Sequence, residues 1–221
     1  MKKNHLLERC WKEYSSIAVM LIYMVFYLLI FGILENRKVG YHVISFGIDG
    51  YIPFCEYFVI PYLLWFAYVA VAVLVLGIKD KEECGRLVSF LIAGMTIFLI
   101  ISAVFPNGHH LRPRAFARDN FCVDLVKMLY RVDTSTNIVP SIHVYNSIGV
   151  MIACFRTKLL KNHRITKWAL VLLGLSIICS TVLIKQHSML DVMSACILSA
   201  ALYSVCFKSE MQQSQKTANA K

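Results

Sequence analysis

Charged residues are scarce in this sequence, and their scarcity excludes an ordinary soluble domain. They make up 16% of the 221 residues, whereas a typical soluble domain has about 25%. Hydrophobic residues make up 58% of the chain, and the mean hydropathy is +0.61. The apolar residues form long runs instead of short alternating segments, which indicates a protein that crosses a membrane several times. A net charge of +10 is also found in nucleic-acid-binding proteins, but beside these runs it favours membrane lipids as partners and not nucleic acid.

Metal and cofactor motifs are missing as well. The eight cysteines are scattered, without a C-x-x-C pair or a Cys/His zinc spacing. His109 and His110 are adjacent, but no carboxylate or cysteine stands at ligand spacing from them, so exposed loop residues are the simpler interpretation. We therefore expect no metal and no cofactor. Cys55 and Cys122 fall in two loops predicted on the same side of the membrane, so a disulfide between them remains open.

Six apolar segments are candidates for membrane spans. The first, about 20 residues long, is enough to cross roughly 30 Å of hydrocarbon. It has no small-residue cleavage site, which favours a retained span over a signal peptide. The fourth is the shortest and carries Ser, His and Asn, which is typical of a helix that lines a polar cavity. We predict an all-α, six-span transmembrane helical bundle that forms a single domain over residues 1–221. The predicted spans are residues 15–34, 57–78, 87–105, 141–155, 168–184 and 190–207.

The distribution of positive charge predicts which side of the membrane each end of the bundle faces. Fifteen of the 23 lysines and arginines lie in the two termini, the second–third loop and the fourth–fifth loop. Because loops rich in Lys and Arg stay in the cytoplasm, both termini are predicted to be cytoplasmic. The fourth–fifth loop, residues 156–167, is interpreted first as a topology signal and second as a binding segment for anionic lipid. We expect an integral multi-pass protein of the cell (plasma) membrane.

The reactive side chains gather at the predicted outer ends of the spans. Arg112 follows the third span, His143 opens the fourth, and His187 and Asp191 stand where the fifth meets the sixth. Two helical residues four apart lie on one face, where a carboxylate fixes the imidazole tautomer and leaves the other nitrogen free to attack. Helix starts and a guanidinium both favour a phosphate. The pattern predicts a phosphate site within residues 105–191 that carries its own nucleophile and proton donor.

These residues resemble the signature of the type 2 phosphatidic-acid phosphatase superfamily, whose members are membrane phosphatases and phosphotransferases. The signature reads K-x6-R-P, then P-S-G-H, then S-R-x5-H-x3-D. Arg112-Pro113 matches the end of the first part, and residues 140–143 match the second except for its glycine. Ser180, His187 and Asp191 match the third part at its spacing. The resemblance covers roughly residues 87–207, and the six-span layout agrees with it.

Three positions depart from this signature. Phe105 stands in place of its lysine, Thr181 in place of the arginine of its third part, and Ile142 in place of its glycine. A bulky apolar residue at the last position resembles the inositol-phosphorylceramide-synthase-like branch of the superfamily. The two lost cations leave a phosphate less well neutralised, and the candidates to replace them are Lys185, His109, His110 and Arg114. Lys185 is the first choice, although an ordinary interfacial lysine is an equally simple interpretation.

The resemblance also implies a mechanism. His187 is implied as the nucleophile that forms a phosphohistidine, Asp191 as its orienting carboxylate, and His143 as the acid and base. The implied phosphate-binding residues, which take the place of a metal, are Arg112, Ser141 and Lys185. The implied activity is that of a metal-independent phosphatase acting on a membrane lipid phosphate. Two alternatives stay open: transfer of a phospho-headgroup to an alcohol, and non-catalytic lipid binding on the same scaffold.

Overall fold

The computed structural model describes residues 2–207, with side chains from residue 14 onward. Two short strands, β1 (His42–Val43) and β2 (Asn107–Gly108), pair in parallel. The helices are α1 (Lys2–Asn36), α2 (Val59–Lys79), α3 (Lys81–Val104), α4 (Phe121–Val132), α5 (Ile142–Arg156), α6 (Arg164–Leu183) and α7 (Met189–Cys206). Some basic side chains that enter the predicted orientation lie outside the described part: Lys2, Lys3, Arg9, Lys12, Lys208, Lys216 and Lys221.

Five helical segments are long and apolar enough to cross a membrane: Tyr14–Asn36, Glu56–Lys79, Lys81–Val104, Arg164–Leu183 and Met189–Cys206. The protein is therefore a mostly helical membrane protein, as predicted. The outer face of α1 illustrates this, because Leu21, Ile22, Leu29 and Ile33 are 62–67% exposed. Exposed apolar side chains of this kind are compatible with contact to lipid tails, because the tails are as apolar as leucine. Helix α5 coincides with the predicted fourth span, but with 15 residues it is shorter than these five.

The backbone of α1 is non-helical at Tyr14, and its membrane-crossing segment begins there, next to the predicted start at residue 15. Two other helices begin before the apolar runs that predicted them: α3 begins at Lys81 and α6 at Arg164, whereas the predicted spans begin at residues 87 and 168. The first turns of these helices carry charged residues, so hydropathy alone does not detect them. At α3 the start is fixed by Asp80, whose side chain accepts the Glu83 N–H at 3.4 Å and caps the helix.

Residues 121–132, predicted to be part of an outer loop, form the amphipathic helix α4. The Asn120 side chain accepts the Val123 N–H at 3.0 Å and caps the start of the helix. Val123 is buried, while the opposite face of α4 is exposed. A search for apolar runs misses such a helix because only one of its faces is hydrophobic. Cys122 in α4 and Cys55 are both free thiols.

Helix α5 lies at the centre of the bundle, in contact with α2, α3, α6 and α7. Its close approach to α3 depends on Gly94, because a Cβ at that position would lie 2.0 Å from the Tyr145 ring. The Tyr145 hydroxyl donates to the Phe90 carbonyl at 2.8 Å, and the two rings stack with their centroids 4.3 Å apart. This packing fixes α5 along α3, and with it the position of His143 in the first turn of α5.

Contacts between the connections define two ends of the bundle. At one end, Thr157 after α5 donates to Asp80 between α2 and α3 at 2.6 Å, and Arg156 donates to Glu83 at 3.1 Å. At the other end, the α1–α2 connection pairs with the α3–α4 connection through β1 and β2. It also hydrogen-bonds with the α6–α7 connection. The residues predicted to be reactive all lie at this second end, which we call the site end.

Candidate active site

The connection between α6 and α7 presents His187 towards the bundle axis. Helix α6 ends at Leu183, and the Thr181 carbonyl then accepts the N–H groups of Gln186 and His187, each at 3.0 Å. Lys185 has a φ of 55°, in the left-handed region, so the chain reverses direction between the two helices. The turn therefore places His187 beside the first turn of α7, where its predicted partner lies.

His187 and Asp191 form the pair expected from their spacing. The distance between His187 Nδ1 and Asp191 Oδ2 is 3.2 Å, and the Ser188 N–H donates to the same carboxylate oxygen at 2.9 Å. Ser188 caps α7 and Asp191 completes its capping box. Because Asp191 accepts from Nδ1, the proton of a neutral ring lies there and Nε2 has its lone pair free. The carboxylate thus fixes the orientation of the His187 ring and leaves Nε2 without a proton.

His143 faces His187 across the start of α5. The centroids of the two imidazole rings are 5.7 Å apart. Behind it, His143 packs against Tyr62 and Trp65 of α2, with ring centroids 4.4 and 4.2 Å away. His143 Nδ1 is buried and has no hydrogen-bond partner among the described residues. Two imidazoles at this separation can approach one phosphorus centre, one as nucleophile and one as proton donor.

Both histidines line a small cavity of about 40 Å³ at the site end. One part of its wall is polar and includes Asp133 and Gln186. Another part is apolar and consists of Phe31, Phe98 and Ile142, from α1, α3 and α5. A polar wall beside an apolar wall suits a ligand that joins a phosphate to a hydrocarbon chain.

Ser141 joins the start of α5 to α7. Its Oγ accepts the Val144 N–H at 3.4 Å and caps α5, while its own N–H donates to the Asp191 carbonyl at 3.3 Å. The structure therefore places Ser141 beside Asp191, two residues before His143. These bonds do not fix the direction of its hydroxyl hydrogen. The prediction that Ser141 binds a phosphate remains a prediction.

Arg112 reaches the site through Gln186. Its guanidinium donates to the carbonyls of Tyr130, Asp133 and Thr134 at 3.1, 2.7 and 2.8 Å, and to the Gln186 side-chain oxygen. It also lies over the Tyr130 ring at 4.3 Å. Burial lowers the pKa of Arg112, but an arginine retains its proton in proteins. Arg112 thus brings a positive charge to the residue that precedes His187, without itself lining the cavity.

Lys185 lies at the site end but points away from the histidine cavity. Its Nζ donates to the carbonyls of Asp49 and Ile52 at 2.9 and 2.5 Å. Burial lowers the pKa of Lys185, against the opposing effect of the Asp49 charge. The structure therefore gives Lys185 a role in attaching the α1–α2 connection to the α6–α7 turn. In this position the amine does not line the histidine cavity, where the predicted phosphate would bind.

The sequence motifs do not contain Asp49, which supports α7 from the α1–α2 connection. Its carboxylate accepts the Ser188 hydroxyl at 2.6 Å and the Met189 N–H at 2.8 Å. Both donors belong to the start of α7, where the helix dipole favours negative charge. Asp49 is only 3% exposed. No local pattern in the sequence indicates this pairing, because nearly 140 residues separate Asp49 from its partners.

Asp133 is a second acidic residue of the site that the motifs do not include. Its Oδ2 accepts from the Tyr62 hydroxyl at 3.0 Å and from the Gln186 amide at 2.9 Å. Burial raises the pKa of Asp133, and this is the largest effect on it. A protonated carboxyl in the cavity wall does not repel a phosphate, whereas an ionised one does. The protonation state of Asp133 therefore bears directly on anion binding.

Asn107 fixes the segment that leads into α5. Its side-chain oxygen accepts the N–H groups of Ile138 and Val139 at 2.9 and 3.0 Å, and its carbonyl accepts the Asn137 N–H at 2.7 Å. Asn107 is fully buried. These three hydrogen bonds explain why a polar residue follows an apolar span so closely. The one sign of them in the sequence is an asparagine at the end of a predicted span.

None of the other cations proposed as replacements lies against the histidine pair. His109 accepts the Leu111 N–H through Nδ1 at 3.1 Å, so its Nε2–H donates to the Gln186 carbonyl at 2.8 Å. Burial lowers the pKa of His109 to about 4, so the ring is neutral at pH 7. His110 and Arg114 are exposed.

The two positions where the signature has a cation hold side chains that pack locally. Phe105 stacks on His42, with ring centroids 4.6 Å apart. Thr181 is buried in α6, where its hydroxyl donates to the Ile178 carbonyl at 2.7 Å. In the described part of the chain, His, Cys, Asp and Glu side chains form no group of three or more that could share a metal ion.

Known proteins provide no independent assignment for this site. No protein-family model matches the chain, no curated protein matches it, and no solved structure matches it. The likeness to the type 2 phosphatidic-acid phosphatase superfamily therefore rests on the motif residues alone.

Proposed function

We propose that this protein is a metal-independent membrane phosphatase that acts on a lipid phosphate through a phosphohistidine at His187. One observation carries the proposal: His187 is oriented by Asp191 and lies 5.7 Å, between ring centroids, from a second buried histidine, His143. A histidine with a purely structural role needs neither a carboxylate that fixes its tautomer nor a second buried imidazole beside it. The mixed polar and apolar cavity supports a lipid as the substrate.

The proposed reaction has two steps. In the first, His187 Nε2 attacks phosphorus, a P–N bond forms, and the P–O bond to the lipid breaks while protonated His143 gives its proton to the leaving oxygen. In the second, His143 takes a proton from water, the water oxygen attacks phosphorus, and the P–N bond breaks. Asp191 accepts a hydrogen bond from the protonated Nδ1 of His187 throughout. Each histidine thus ends the cycle in its starting state, with phosphate released.

The charge of the transferred group is stabilised in this proposal by the start of α5 and by the Arg112–Gln186 pair. The start of α5 presents the positive end of its helix dipole. The start of α7 contributes less, because its first N–H groups already donate to Asp191, Asp49 and Ser188. Most of the protein's contribution to phosphoryl transfer is electrostatic positioning of this kind. Ser141, which caps α5, is the hydroxyl proposed to contact the phosphate.

We further propose six spans, with α5 as the short fourth span and the site end facing outwards from the cell membrane. The side chains at the C-terminal end of α5 contact the α2–α3 turn, while its first turn lies in the site end, so α5 connects both ends of the bundle. In the sequence, the two termini and the α2–α3 and α5–α6 loops carry 15 of the 23 lysines and arginines, which favours a cytoplasmic location for the opposite end.

The proposal is tested by phosphate release from a panel of lipid phosphates, using purified protein in detergent. We expect turnover that His187→Ala and His143→Ala each lower by at least about a hundredfold. His110→Ala removes an exposed histidine at the same end and is the matched control, with activity unchanged. EDTA is expected to have no effect. Turnover that survives His187→Ala, or binding of lipid phosphate without any turnover, would overturn the proposed activity.

The apolar wall of the cavity favours a second candidate, transfer of the phospho-headgroup to an alcohol. Ile142 lies in that wall, at the position where the signature has glycine, and an apolar surface there accommodates an acceptor lipid better than a water molecule. The same assay separates the two reactions when long-chain alcohols are added. A new phosphate monoester of the added alcohol would support the transferase, and free phosphate as the sole product would exclude it.

A further inference from the structure

A second, larger cavity lies between α2, α5 and α6. It has a volume of about 450 Å³ and a lining that is almost entirely apolar. Its walls include Leu64 and Val71 from α2, Val150 from α5, and Leu170 from α6. Because α2 and α6 are membrane-crossing helices by length and composition, this groove faces the hydrocarbon region of the bilayer.

The groove ends at the basic connection between α5 and α6. Thr157, Leu159, Leu160 and Thr166 line it there, and they alternate with positively charged residues. Residues 156–167 contain five lysines and arginines and no acidic residue. This basic rim therefore lies directly at the polar mouth of an apolar groove.

The charged groups of the rim are oriented towards solvent. Lys158, Lys161 and Arg164 are exposed, and the turn that carries the first two is held by the Lys161 N–H, which donates to the Lys158 carbonyl at 3.3 Å. Polybasic segments beside a membrane attract anionic lipid headgroups, at about 1 kcal/mol per cation. An apolar groove supplies the complementary surface for the acyl chain of such a lipid.

We infer that this groove binds an anionic phospholipid from the membrane leaflet at the opposite end from the site. One acyl chain occupies the groove between α2 and α6, and the headgroup phosphate lies on Lys158, Lys161 and Arg164. Charge complementarity identifies the occupant. Two acidic residues at this end, Asp80 and Glu83, already bond to Thr157 and Arg156. The exposed cations of the rim therefore favour an anionic lipid over a zwitterionic lipid or an apolar protein helix.

The headgroup end of the groove is distinct from the histidine cavity, because Ala153 lies ten residues along α5 from His143, or about 15 Å. The other end of the groove reaches Leu64, the neighbour of the Trp65 that packs on His143.

Native mass spectrometry tests the inference, with the His187→Ala variant in micelles that contain equal amounts of phosphatidylglycerol and phosphatidylcholine with identical tails. Because that variant is inactive in the proposed mechanism, the lipid is not consumed. We expect one phosphatidylglycerol molecule to remain bound under conditions that remove phosphatidylcholine. Equal retention of the two lipids would overturn the role of the basic rim.

Two pairs of variants separate the headgroup contact from the tail contact. Lys161→Glu should lower retention of phosphatidylglycerol about five- to tenfold, whereas Lys38→Glu, an exposed change at the site end, should leave it unchanged. Ala67→Trp places an indole in the groove from the exposed face of α2 and should also release the lipid. Ala70→Trp, on the same helix outside the groove, is its control.

The outcomes are distinguishable from those of the phosphatase assay. Loss of retention in Lys161→Glu without loss in Ala67→Trp would show a surface headgroup contact only and would overturn the groove as the tail site. Retention that both variants leave intact would place the lipid elsewhere, for example at the histidine cavity. Phosphate release by the wild type tests the proposed function independently of either result.

Discussion

Arg112 and Lys185 are held at the site end mainly by neutral acceptors. Arg112 donates to three backbone carbonyls and an amide oxygen, and Lys185 donates to two backbone carbonyls. A carbonyl satisfies the hydrogen-bonding needs of a cation without cancelling its charge. Both side chains therefore remain sources of positive potential near the histidines, which favours an anion there even without direct contact.

At the scale of single residues, the carboxylate of Asp191 is predicted to act through the tautomer of His187. Asp191→Asn replaces the acceptor at Nδ1 by an amide that can donate, which favours the wrong tautomer. We expect kcat to fall by about a hundredfold or more, with little change in KM. Asp119→Asn, at a highly exposed carboxylate, is the control. A proportional rise in KM with unchanged kcat would contradict the orienting role.

Asp133 is predicted to make substrate binding depend on pH. Burial raises the pKa of Asp133, so the carboxyl is neutral below that pKa and becomes charged as the pH rises through it. The charge then repels the phosphate, and KM should increase with pH. Asp133→Asn should remove this increase while leaving the pH dependence of kcat in place. The measurement is KM against pH for both proteins, and parallel curves would exclude Asp133 as the cause.

At the scale of elements, the site depends on the mutual placement of α5 and α7. The Ser141 N–H at the start of α5 donates to the Asp191 carbonyl in the first turn of α7, so the helix of one histidine is joined to the orienting carboxylate of the other. Asn107 and Asp49 support the two starts from separate connections. A shift of either helix would therefore change the distance between the imidazoles.

Helix α5 is predicted to lose its position when Gly94 is enlarged. Gly94→Ala introduces a Cβ that would lie 2.0 Å from the Tyr145 ring, and overpacking of this kind costs about 1–3 kcal/mol. Gly32→Ala is the matched control, because nothing lies within 4 Å of a Cβ there. We expect a lower melting temperature in detergent for Gly94→Ala alone. Equal melting temperatures for the two variants would show that α3 and α5 can move apart without a loss of stability.

The features of this molecule that the sequence predicts are those that depend on residues close together in the chain. Long apolar runs identify the membrane helices, and the His187–Asp191 pair follows from its spacing of four residues. The amphipathic helix α4 has no such run, and the supporting contacts of Asp49 and Arg112 join residues that are distant in the sequence. Such contacts depend on how the helices pack, which hydropathy and spacing do not specify. The same holds for Lys185, whose motif position suggests a phosphate but whose amine binds two carbonyls.

At the scale of the whole molecule, the proposed orientation predicts which loops an impermeant reagent reaches. In a chain whose native cysteines are replaced by alanine, His110→Cys at the site end should react with an impermeant maleimide applied to intact cells. Asn162→Cys, in the α5–α6 connection, should react only after permeabilisation. Both positions are exposed, so a difference between them reports the side of the membrane. The reverse pattern would invert the bundle.

The stacking of His143 on Tyr62 and Trp65 has a consequence for the choice of substrate. These two aromatic residues lie three and six residues into α2, or about 5–9 Å along the helix from its start. Under the proposed function, a phosphorus atom between the two imidazoles would lie level with the first two turns of α2, a helix long and apolar enough to cross a membrane. The proposed substrate would therefore have to bring its phosphate past the start of that helix. A phosphate with a small substituent would do so more readily than one with a large polar headgroup, which is the selectivity that the proposal implies.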